Sequence, residues 1–301
     1  MLTRARHACT DGSNVTAQHE WLNLAVSSGT TCDEFFAHGI PSLIRMPGTG
    51  VYERGLGLVS GWEAKIEAFA SEQVLPRMKN KTAVGVFLGD EICCHNSSCW
   101  HDQLYPMSAK LRDLLGPKAI LYENECGDSI AGGGMAHGHP VGPPLDKIAP
   151  DLDFVSIDLY KGFLPNDDNG TAEAVAARAF VEKEVYPKLA PHQKIFVVPG
   201  TFACSNLTYM PLARSSNSVV EKLKAYFAWG KEDPRVAGIN PWHFNYRGHP
   251  QHPPPCDMQL GAADMPDVVA ELAVIGKWIK SQQSHVASPI PVDSDSIEVE
   301  V

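Results

Sequence analysis

Seven short apolar segments recur along the chain, and stretches with the spacing of amphipathic helices lie between several of them. The apolar segments span residues 20–28, 41–47, 83–91, 118–125, 152–160, 194–200 and 236–244. Apolar residues at helical spacing occupy residues 61–79, 171–190, 218–232 and 265–281. Strands that alternate with helices are typical of a parallel sheet with right-handed crossovers. The alternation therefore predicts an α/β fold.

Seven strands, with one more at the start, would make a (β/α)8 TIM barrel. The first twenty residues contain no convincing strand, so we expect the first strand to be irregular or to lie upstream of this chain. No glycine-rich phosphate fingerprint follows the first strands, which disfavours a doubly wound nucleotide-binding fold. We expect a single-domain catalytic barrel over residues 20–281. Residues 1–19 would be an N-terminal extension, and residues 282–301 a disordered acidic tail.

The charge of the chain limits the class of partner. The 301 residues carry a formal net charge of −10, whereas nucleic acids and anionic membranes require a basic surface. No apolar segment approaches the roughly 20 residues of a membrane-spanning helix. We therefore expect neither a nucleic-acid partner nor a membrane span.

Asparagine and cysteine usage bears on the cellular compartment. Asn-x-Ser/Thr sequons occur at Asn14, Asn80, Asn96, Asn169 and Asn206. Eight cysteines are an even number, which suggests disulfides in a protein of an oxidising compartment. Both features predict a secreted or lumenal glycoprotein. Because the N-terminal residues lack the apolar core of a signal peptide, we expect no signal peptide within the given residues.

Alternate residues of a barrel strand face the interior and the helix layer, and the helix-facing residues should be bulky and aliphatic. This rule predicts that Leu24, Val26 and Val84 face the helices. It directs a polar set towards the interior near the carboxyl ends of the strands, where barrel enzymes have their active sites. The predicted interior set comprises Arg45, Glu91, Ser156, Asp158, Tyr160, Asn240 and Trp242.

The segment at 118–125 is ambiguous, because Glu123 and Glu125 share one face of it. Their charge favours the interior mouth over the helix layer. Several acids beside a Tyr and a Trp are suited to glycoside hydrolysis, in which one carboxylic acid protonates the leaving oxygen and a second carboxylate attacks or activates water. Aromatic rings stack on sugar rings, and we expect hydroxyl contacts from a polar set at the same rim. That set comprises Arg45, Asn240, His243 and Asn245.

The stretch "FLGDEICCHNSSCW" (87–100) resembles the fourth-strand Gly-Gly-Asp-Glu motif of family 20 β-hexosaminidases, in which a Cys-Trp also follows closely. This resemblance implies that Glu91 is the general acid and that Asp90 orients the acetamido group of the substrate. More broadly, "SIDLY" and "PWHF" look like sugar-binding strand ends of a glycoside-hydrolase-type barrel.

The identity of the second catalytic carboxylate is open. Retaining barrel glycosidases commonly carry a nucleophilic Glu on the seventh strand, and the segment at 194–200 contains none. The remaining candidates are Glu123, Glu125, Asp158 and Asp90. The leading prediction is a glycosidase in which Glu91 donates the proton and Glu125 or Asp158 is the nucleophile or base. A catalytically inactive barrel that binds oligosaccharide or polysaccharide is one alternative.

The histidines and cysteines raise the question of a metal. Zinc could be held by the cluster of Cys93, Cys94, Cys99, His95 and His101, but these cysteines and Cys126 follow strand ends on one face, which favours disulfides that staple loops. His137 and His139, together with Asp158, would suit a metal-dependent hydrolase. Because the two histidines lie in a Gly/Pro-rich stretch, we favour a substrate-covering loop and predict no metal and no cofactor.

Overall fold

The computed structural model describes residues 2–5, 20–28, 31–53, 57–94, 98–133, 135–136, 139–159, 170–204, 216–242 and 259–283. Eight parallel strands form its central sheet. They are β1 (Leu2–Ala5), β2 (Leu24–Ser27), β3 (Ser42–Arg45), β4 (Ala83–Asp90), β5 (Ile120–Cys126), β6 (Phe154–Asp158), β7 (Lys194–Val197) and β8 (Val236–Ile239). Strands β2 to β8 coincide with the seven predicted segments, so that prediction is confirmed.

Strands β2 to β8 form a curled parallel sheet in which neighbours in the chain are neighbours in space. Strand β1 pairs in parallel with both β2 and β8, so the strand order closes on itself. The expectation that the first twenty residues contain no strand is therefore wrong. The predicted α/β class is confirmed, and the curled parallel sheet is consistent with a TIM barrel.

A helix follows each strand from β2 to β8. The helices are α1 (Cys32–Ala37), α2 (Trp62–Phe69), α3 (Leu75–Lys79), α4 (Tyr105–Leu115), α5 (Gly127–Ala131), α6 (Thr171–Phe180), α7 (Ser216–Glu232) and α8 (Pro266–Gln283). Short antiparallel pairs decorate the loops, namely Tyr52–Glu53 with Gly57–Leu58, Met135–Ala136 with His139–Pro140, and Ala203–Cys204 with Gln259–Leu260. No helix in the part of the chain that the structure describes is long and apolar enough to cross a membrane.

Three π-helical turns lie within the helical segments, at Ala70–Val74, Trp100–Leu104 and Val181–Val185. Each turn ends two residues before a proline, namely Pro76, Pro106 and Pro187. Proline lacks an N–H, and its ring clashes with the carbonyl one turn earlier. A wider π turn provides room at that point. The helical segments after β3, β4 and β6 therefore continue past their prolines instead of ending there.

Two apolar layers surround the strands. The outer layer packs the strands against the helices and includes Val86, Leu121 and Val155. The interior layer consists of Leu24, Leu43, Phe87, Tyr122 and Phe196, with Val26, Val84, Ile120 and Phe154 packed against it. The predicted helix-facing orientation of Leu24, Val26 and Val84 is therefore wrong, because the middle of the sheet is filled with apolar side chains on both faces.

Two irregularities in β4 change which of its residues face the interior. The pairing of β4 with β3 shifts at Val84, and its pairing with β5 shifts at Leu88. A side chain on Gly85 would overlap the backbone of Ile120, which allows the strands to approach closely at the first bulge. After the second bulge, Asp90 lies opposite Asn124 of β5. A bulge inserts one extra residue and thereby reverses the alternation of the residues that follow it.

A fully buried ion pair ties the end of β7 to the helix layer. The Lys222 ammonium lies 2.9 Å from a carboxylate oxygen of Glu173, and neither side chain is exposed. Lys222 also donates to the carbonyl oxygen of Gly200 at 3.1 Å, and Glu173 accepts from the Gly200 N–H at 3.5 Å. Gly200 in turn forms an isolated parallel bridge with Trp242. The ion pair therefore fixes the backbone on which Trp242 is carried.

Replacing Lys222 with methionine is expected to lower the free energy of unfolding by roughly 3–5 kcal/mol, because Glu173 would keep a buried charge without its cation. Urea unfolding followed by circular dichroism measures this loss. Lys224 provides the matched control on the same helix, since it is half exposed and pairs with Glu221. Lys224→Met should change stability little. Equal losses of unfolding free energy in the two variants would contradict the conclusion that the buried Lys222–Glu173 ion pair stabilises the fold.

Candidate active site at the carboxyl ends of the strands

Asp90 and Glu91 lie where β4 ends. Both are half-buried, and Glu91 has a φ of 54°, in the left-handed region that residues other than glycine seldom adopt. The Glu91 N–H donates to the carbonyl oxygen of Asn124 at 2.7 Å, which holds this backbone conformation. Strained backbone costs on the order of 1 kcal/mol and is found preferentially at functional sites.

A chain of hydrogen bonds joins Asp90 to the opposite side of the sheet. Asn124 donates from Nδ2 to the Asp90 carboxylate at 2.9 Å, and Ser156 donates to Asn124 Oδ1. The hydroxyls of Tyr122 and Ser156 are 2.5 Å apart, and Asn240 Nδ2 donates to Tyr122 Oη at 3.0 Å. The chain thus crosses from β8 through β5 and β6 to β4, above the apolar interior layer.

Strand β5 presents its two faces differently from the expectation. Tyr122 belongs to the interior layer, and Asn124 bonds to the interior residue Ser156. Successive side chains of a strand alternate between faces. Glu123 and Glu125 therefore share the outer face with Leu121, and the prediction that they face the interior mouth is wrong. Both glutamates are nevertheless fully buried, because the loop after β4 covers that part of the outer face.

Glu125 has an unusual electrostatic environment. Its Oε1 accepts from the Cys93 N–H at 2.6 Å, and its Oε2 accepts from the Ser129 hydroxyl at 3.3 Å. Burial raises the pKa of the Glu125 carboxyl to about 8, and the negative charges of Glu91 and Asp90 act in the same direction. The hydrogen bond from Cys93 acts against this increase. The raised pKa favours the protonated form of Glu125 at neutral pH, next to the two acids of β4.

Tyr52 completes the surroundings of these acids and was not found from the sequence. It comes from the short strand Tyr52–Glu53, and a side chain on Gly89 would lie 2.7 Å from its hydroxyl oxygen. Burial, then the charges of Glu123 and Glu125, raise the pKa of the Tyr52 hydroxyl. The absence of a side chain at Gly89 gives Tyr52 the space to approach the buried glutamates.

Two disulfides staple the loop after β4. Cys93 pairs with Cys99 within the loop, and Cys94 pairs with Cys126 at the end of β5. The prediction that the cysteine cluster forms disulfides is confirmed for these four residues. The grouping of Cys94, Glu125 and Cys126 is the arrangement among the described residues that could hold a metal ion. Its two sulfurs are joined to each other, so they offer no thiolate ligands in this structure.

The remaining predicted residues are found at several strand ends. Asp158 ends β6 on the face of Phe154 and Ser156, because Val155 and Ile157 pack in the outer layer, as expected. Arg45 ends β3 in register with Phe87 and is exposed. Asn240 is fully buried and bonded to Tyr122, and Trp242 is half-buried beside Gly200. Three residues predicted to contact the substrate, and two candidate metal ligands, lie outside the described residues, namely Tyr160, His243, Asn245, His95 and His137.

Tyr122, Asn124 and Ser156 are the site residues that the sequence interpretation missed or left without a role. Their signal is present in β5, where a large aromatic and an amide occupy alternate positions. The two glutamates of the same strand drew attention to the wrong face, because charge was taken to outweigh the apolar position of Leu121.

Neither a protein-family model nor a curated protein sequence matches this chain. Solved structures do resemble it. The β-glucuronidase of Faecalibacterium prausnitzii has a TM-score of 0.62 and 15% identity over 91% of this chain and 48% of its own length. The Ruminococcus gnavus β-glucuronidase in complex with a C6-substituted uronic isofagomine has a TM-score of 0.59 and 14% identity, over 86% of this chain and 44% of its own.

The Dictyoglomus thermophilum β-D-glucuronidase is similar at a TM-score of 0.51 and 12% identity, over 80% of this chain and 41% of its own. This chain therefore spans less than half the length of each of these structures. At such identities the likeness concerns the fold alone. The resemblance of residues 87–100 to family 20 β-hexosaminidases stays a prediction.

The raised pKa of Glu125 predicts a pH-dependent stability. The folded protein holds the Glu125 proton up to about pH 8, whereas the unfolded chain releases it near pH ~4.3. The stabilisation is complete below the lower value and is lost as the pH rises towards the higher one. Glu125→Gln should remove this loss, so that its free energy of unfolding falls less than that of the wild type between about pH 5 and about pH 8.

Urea unfolding across this pH range measures the difference in slope. Glu34→Gln is the control, since Glu34 is an exposed residue of α1 and its substitution should leave the slope unchanged. Parallel pH dependence in the wild type and Glu125→Gln would show that Glu125 is ionised in the folded protein.

Proposed function

We propose that this protein is a glycoside hydrolase that cleaves O-glycosidic bonds of a glycan by carboxylate general acid/base catalysis. The observation that carries the proposal is the position of Asp90, Glu91 and Asp158 at the carboxyl ends of β4 and β6, in a fold similar to that of solved glycosidases. In parallel α/β barrels the catalytic residues lie at these ends. Two carboxyl groups on one rim meet the basic requirement of glycoside hydrolysis.

In this proposal Glu91 is the general acid. It is half-buried, so it can reach a substrate, and its backbone is held in a strained conformation by the Asn124 carbonyl. Glu91 donates its proton to the glycosidic oxygen as the bond to the sugar breaks, and the leaving alcohol departs neutral. Asp90, anchored by Asn124, orients a polar group of the substrate.

Asp158 is the better candidate for the second carboxylate. A nucleophile or base must touch the substrate or its attacking water. Glu125 is fully buried on the outer face of β5 and is bonded to the Cys93 N–H, whereas Asp158 is half-buried and follows the interior residue Ser156. In this proposal Glu125 therefore has a structural role, because its carboxyl accepts the Cys93 N–H and holds the loop after β4. Its protonation state also determines how much negative charge lies near Asp90 and Glu91. Glu123, buried in the same way, supports Tyr52 rather than contacting the sugar.

The remaining residues that we propose to contact the sugar lie at or after the ends of the strands. Trp242 provides an aromatic face for a sugar ring, and Arg45 and Asn240 provide donors for its hydroxyls. Tyr160, His243 and Asn245 are proposed contacts on the basis of the sequence alone. We propose a complete (β/α)8 barrel with its catalytic part at residues 20–281, in a secreted or lumenal glycoprotein. The two disulfides support that compartment.

Glu91→Gln is expected to reduce the turnover of glycosides with poor leaving groups by about 10²–10⁴-fold, because general acid catalysis contributes that much. Glycosides with a nitrophenolate leaving group need less protonation and should be affected less. Rates on a panel of aryl glycosides with leaving groups of graded pKa measure this difference. Asp128→Asn is the control, since Asp128 is an exposed acid after β5, on the same side of the sheet, and should retain wild-type rates.

Turnover by Glu91→Gln at the wild-type level on every member of the panel would remove Glu91 from the role of acid. If the wild type hydrolyses no glycoside of the panel but binds oligosaccharides, the protein is an inactive glycan-binding barrel. Activity that is lost on chelation and restored by a divalent cation would favour the metal-dependent hydrolase.

Asp158→Asn should abolish activity or reduce it by orders of magnitude while leaving the melting temperature nearly unchanged, because the amide keeps the shape but supplies neither nucleophile nor base. Steady-state rates and thermal unfolding of the same preparations test this. A variant that loses thermal stability but retains its rate would show that Asp158 only stiffens the sheet.

A further inference from the structure

The hydrogen bonds that end on Asp90 have only one consistent direction. Ser156 has a single hydroxyl hydrogen, and it is given to Asn124 Oδ1. In the close contact between the two hydroxyls, Tyr122 must therefore be the donor. Asn240 donates in turn to Tyr122 Oη. Every donor in the series thus points towards the Asp90 carboxylate, which accepts the last bond from Asn124.

Hydrogen bonds arranged in one direction polarise one another, and the effect is larger where water is excluded. The four residues before Asp90, namely Asn240, Tyr122, Ser156 and Asn124, are all fully buried. The Tyr122 ring is fixed by Phe87 and Phe196, whose ring centroids lie 5.2 Å and 5.0 Å away. Tyr122, the second residue of the series, is therefore a rigid aromatic anchor rather than a mobile side chain.

Asp90 needs such an anchor because of the charges around it. Glu91 follows it at the end of β4, and Glu125, on the outer face of β5, is close enough for the charges of Asp90 and Glu91 to raise its pKa. Tyr52 approaches these acids from the loop after β3. The positively charged Arg45 is the last residue of β3. A negative charge on Glu91 favours rotation of Asp90 towards solvent, and the donor from Asn124 opposes that rotation.

We propose that Tyr122, Ser156 and Asn124 are positioning residues that hold the Asp90 carboxylate in its substrate-orienting position. The inference deepens the proposed glycosidase function and rests on it for its catalytic consequence. Its structural part concerns Asp90 alone. Removing a link therefore lowers the fraction of molecules in which Asp90 is correctly oriented, and the effect is larger for links closer to Asp90.

The test compares Ser156→Ala with Tyr122→Phe. Ser156→Ala breaks the series next to Asn124 and should lower kcat roughly tenfold with little change in KM, since misplacement of a group by a fraction of an ångström has effects of this size. Tyr122→Phe keeps the ring packing and leaves the Ser156–Asn124 bond in place, so its loss should be smaller. Ser42→Ala is the matched control, because Ser42 is a fully buried strand serine whose hydroxyl has no hydrogen-bond partner among the described residues.

A second measurement needs no substrate. With carbon-13 at the aspartate Cγ, and the resonance of Asp90 assigned from Asp90→Asn, Ser156→Ala should shift that resonance, Tyr122→Phe should shift it less, and Ser42→Ala should not shift it. If Ser156→Ala does not fold, Tyr122→Phe decides the outcome by the same two readouts. A shifted resonance without activity in any variant or in the wild type would reject the glycosidase function and keep the positioning role. An unshifted resonance, or an unchanged kcat in an active enzyme, would overturn the proposal.

Discussion

Strands β2 to β8 are buried on both faces, and this constraint determines where polar chemistry can occur. The outer face packs against the helices, and the inner face is filled by a layer that includes Leu24, Phe87 and Phe196. A polar side chain in the middle of such a strand would lose its hydration without compensation. Polar residues inside a strand therefore need hydrogen-bond partners, as Asn124 and Ser156 have, whereas the half-buried acids lie where the strands end. Asp90, at the end of β4, and Asp158, at the end of β6, are such acids.

The boundary between the apolar interior and the polar rim is formed by Tyr122. Its ring belongs to the apolar layer, whereas its hydroxyl begins the part of the structure in which side chains bond to one another. Buried polar groups are tolerated when they find partners, and hydrogen bonds between them restrict the arrangements that their side chains can adopt. The bulge at Leu88 also contributes to this network, because it brings Asp90 opposite Asn124. A regular strand would have directed Asp90 to the other face.

The positions of the strands could be predicted from the sequence, whereas several of their faces could not. Apolar segments and turn residues are local signals, so β2 to β8 were found within a few residues. The interior orientation of Val84 depends on a bulge, which arises from pairing with neighbouring strands and leaves no local pattern. Strand β1 is defined by its pairing with both β2 and β8 and not by its composition. Helix α4, which has Pro106 as its second residue and follows a π turn, was not among the predicted helices.

Burial also separates the roles of acids that are chemically alike. Glu125 would add a third negative charge next to Asp90 and Glu91 if it were ionised, and burial makes that charge costly. Its raised pKa favours the protonated form, and its carboxyl still accepts the Cys93 N–H. The loop after β4 is thus held without further repulsion at the rim. Because Glu125 is fully buried, the proposed mechanism assigns the second carboxylate to Asp158, which is half-buried at the end of β6.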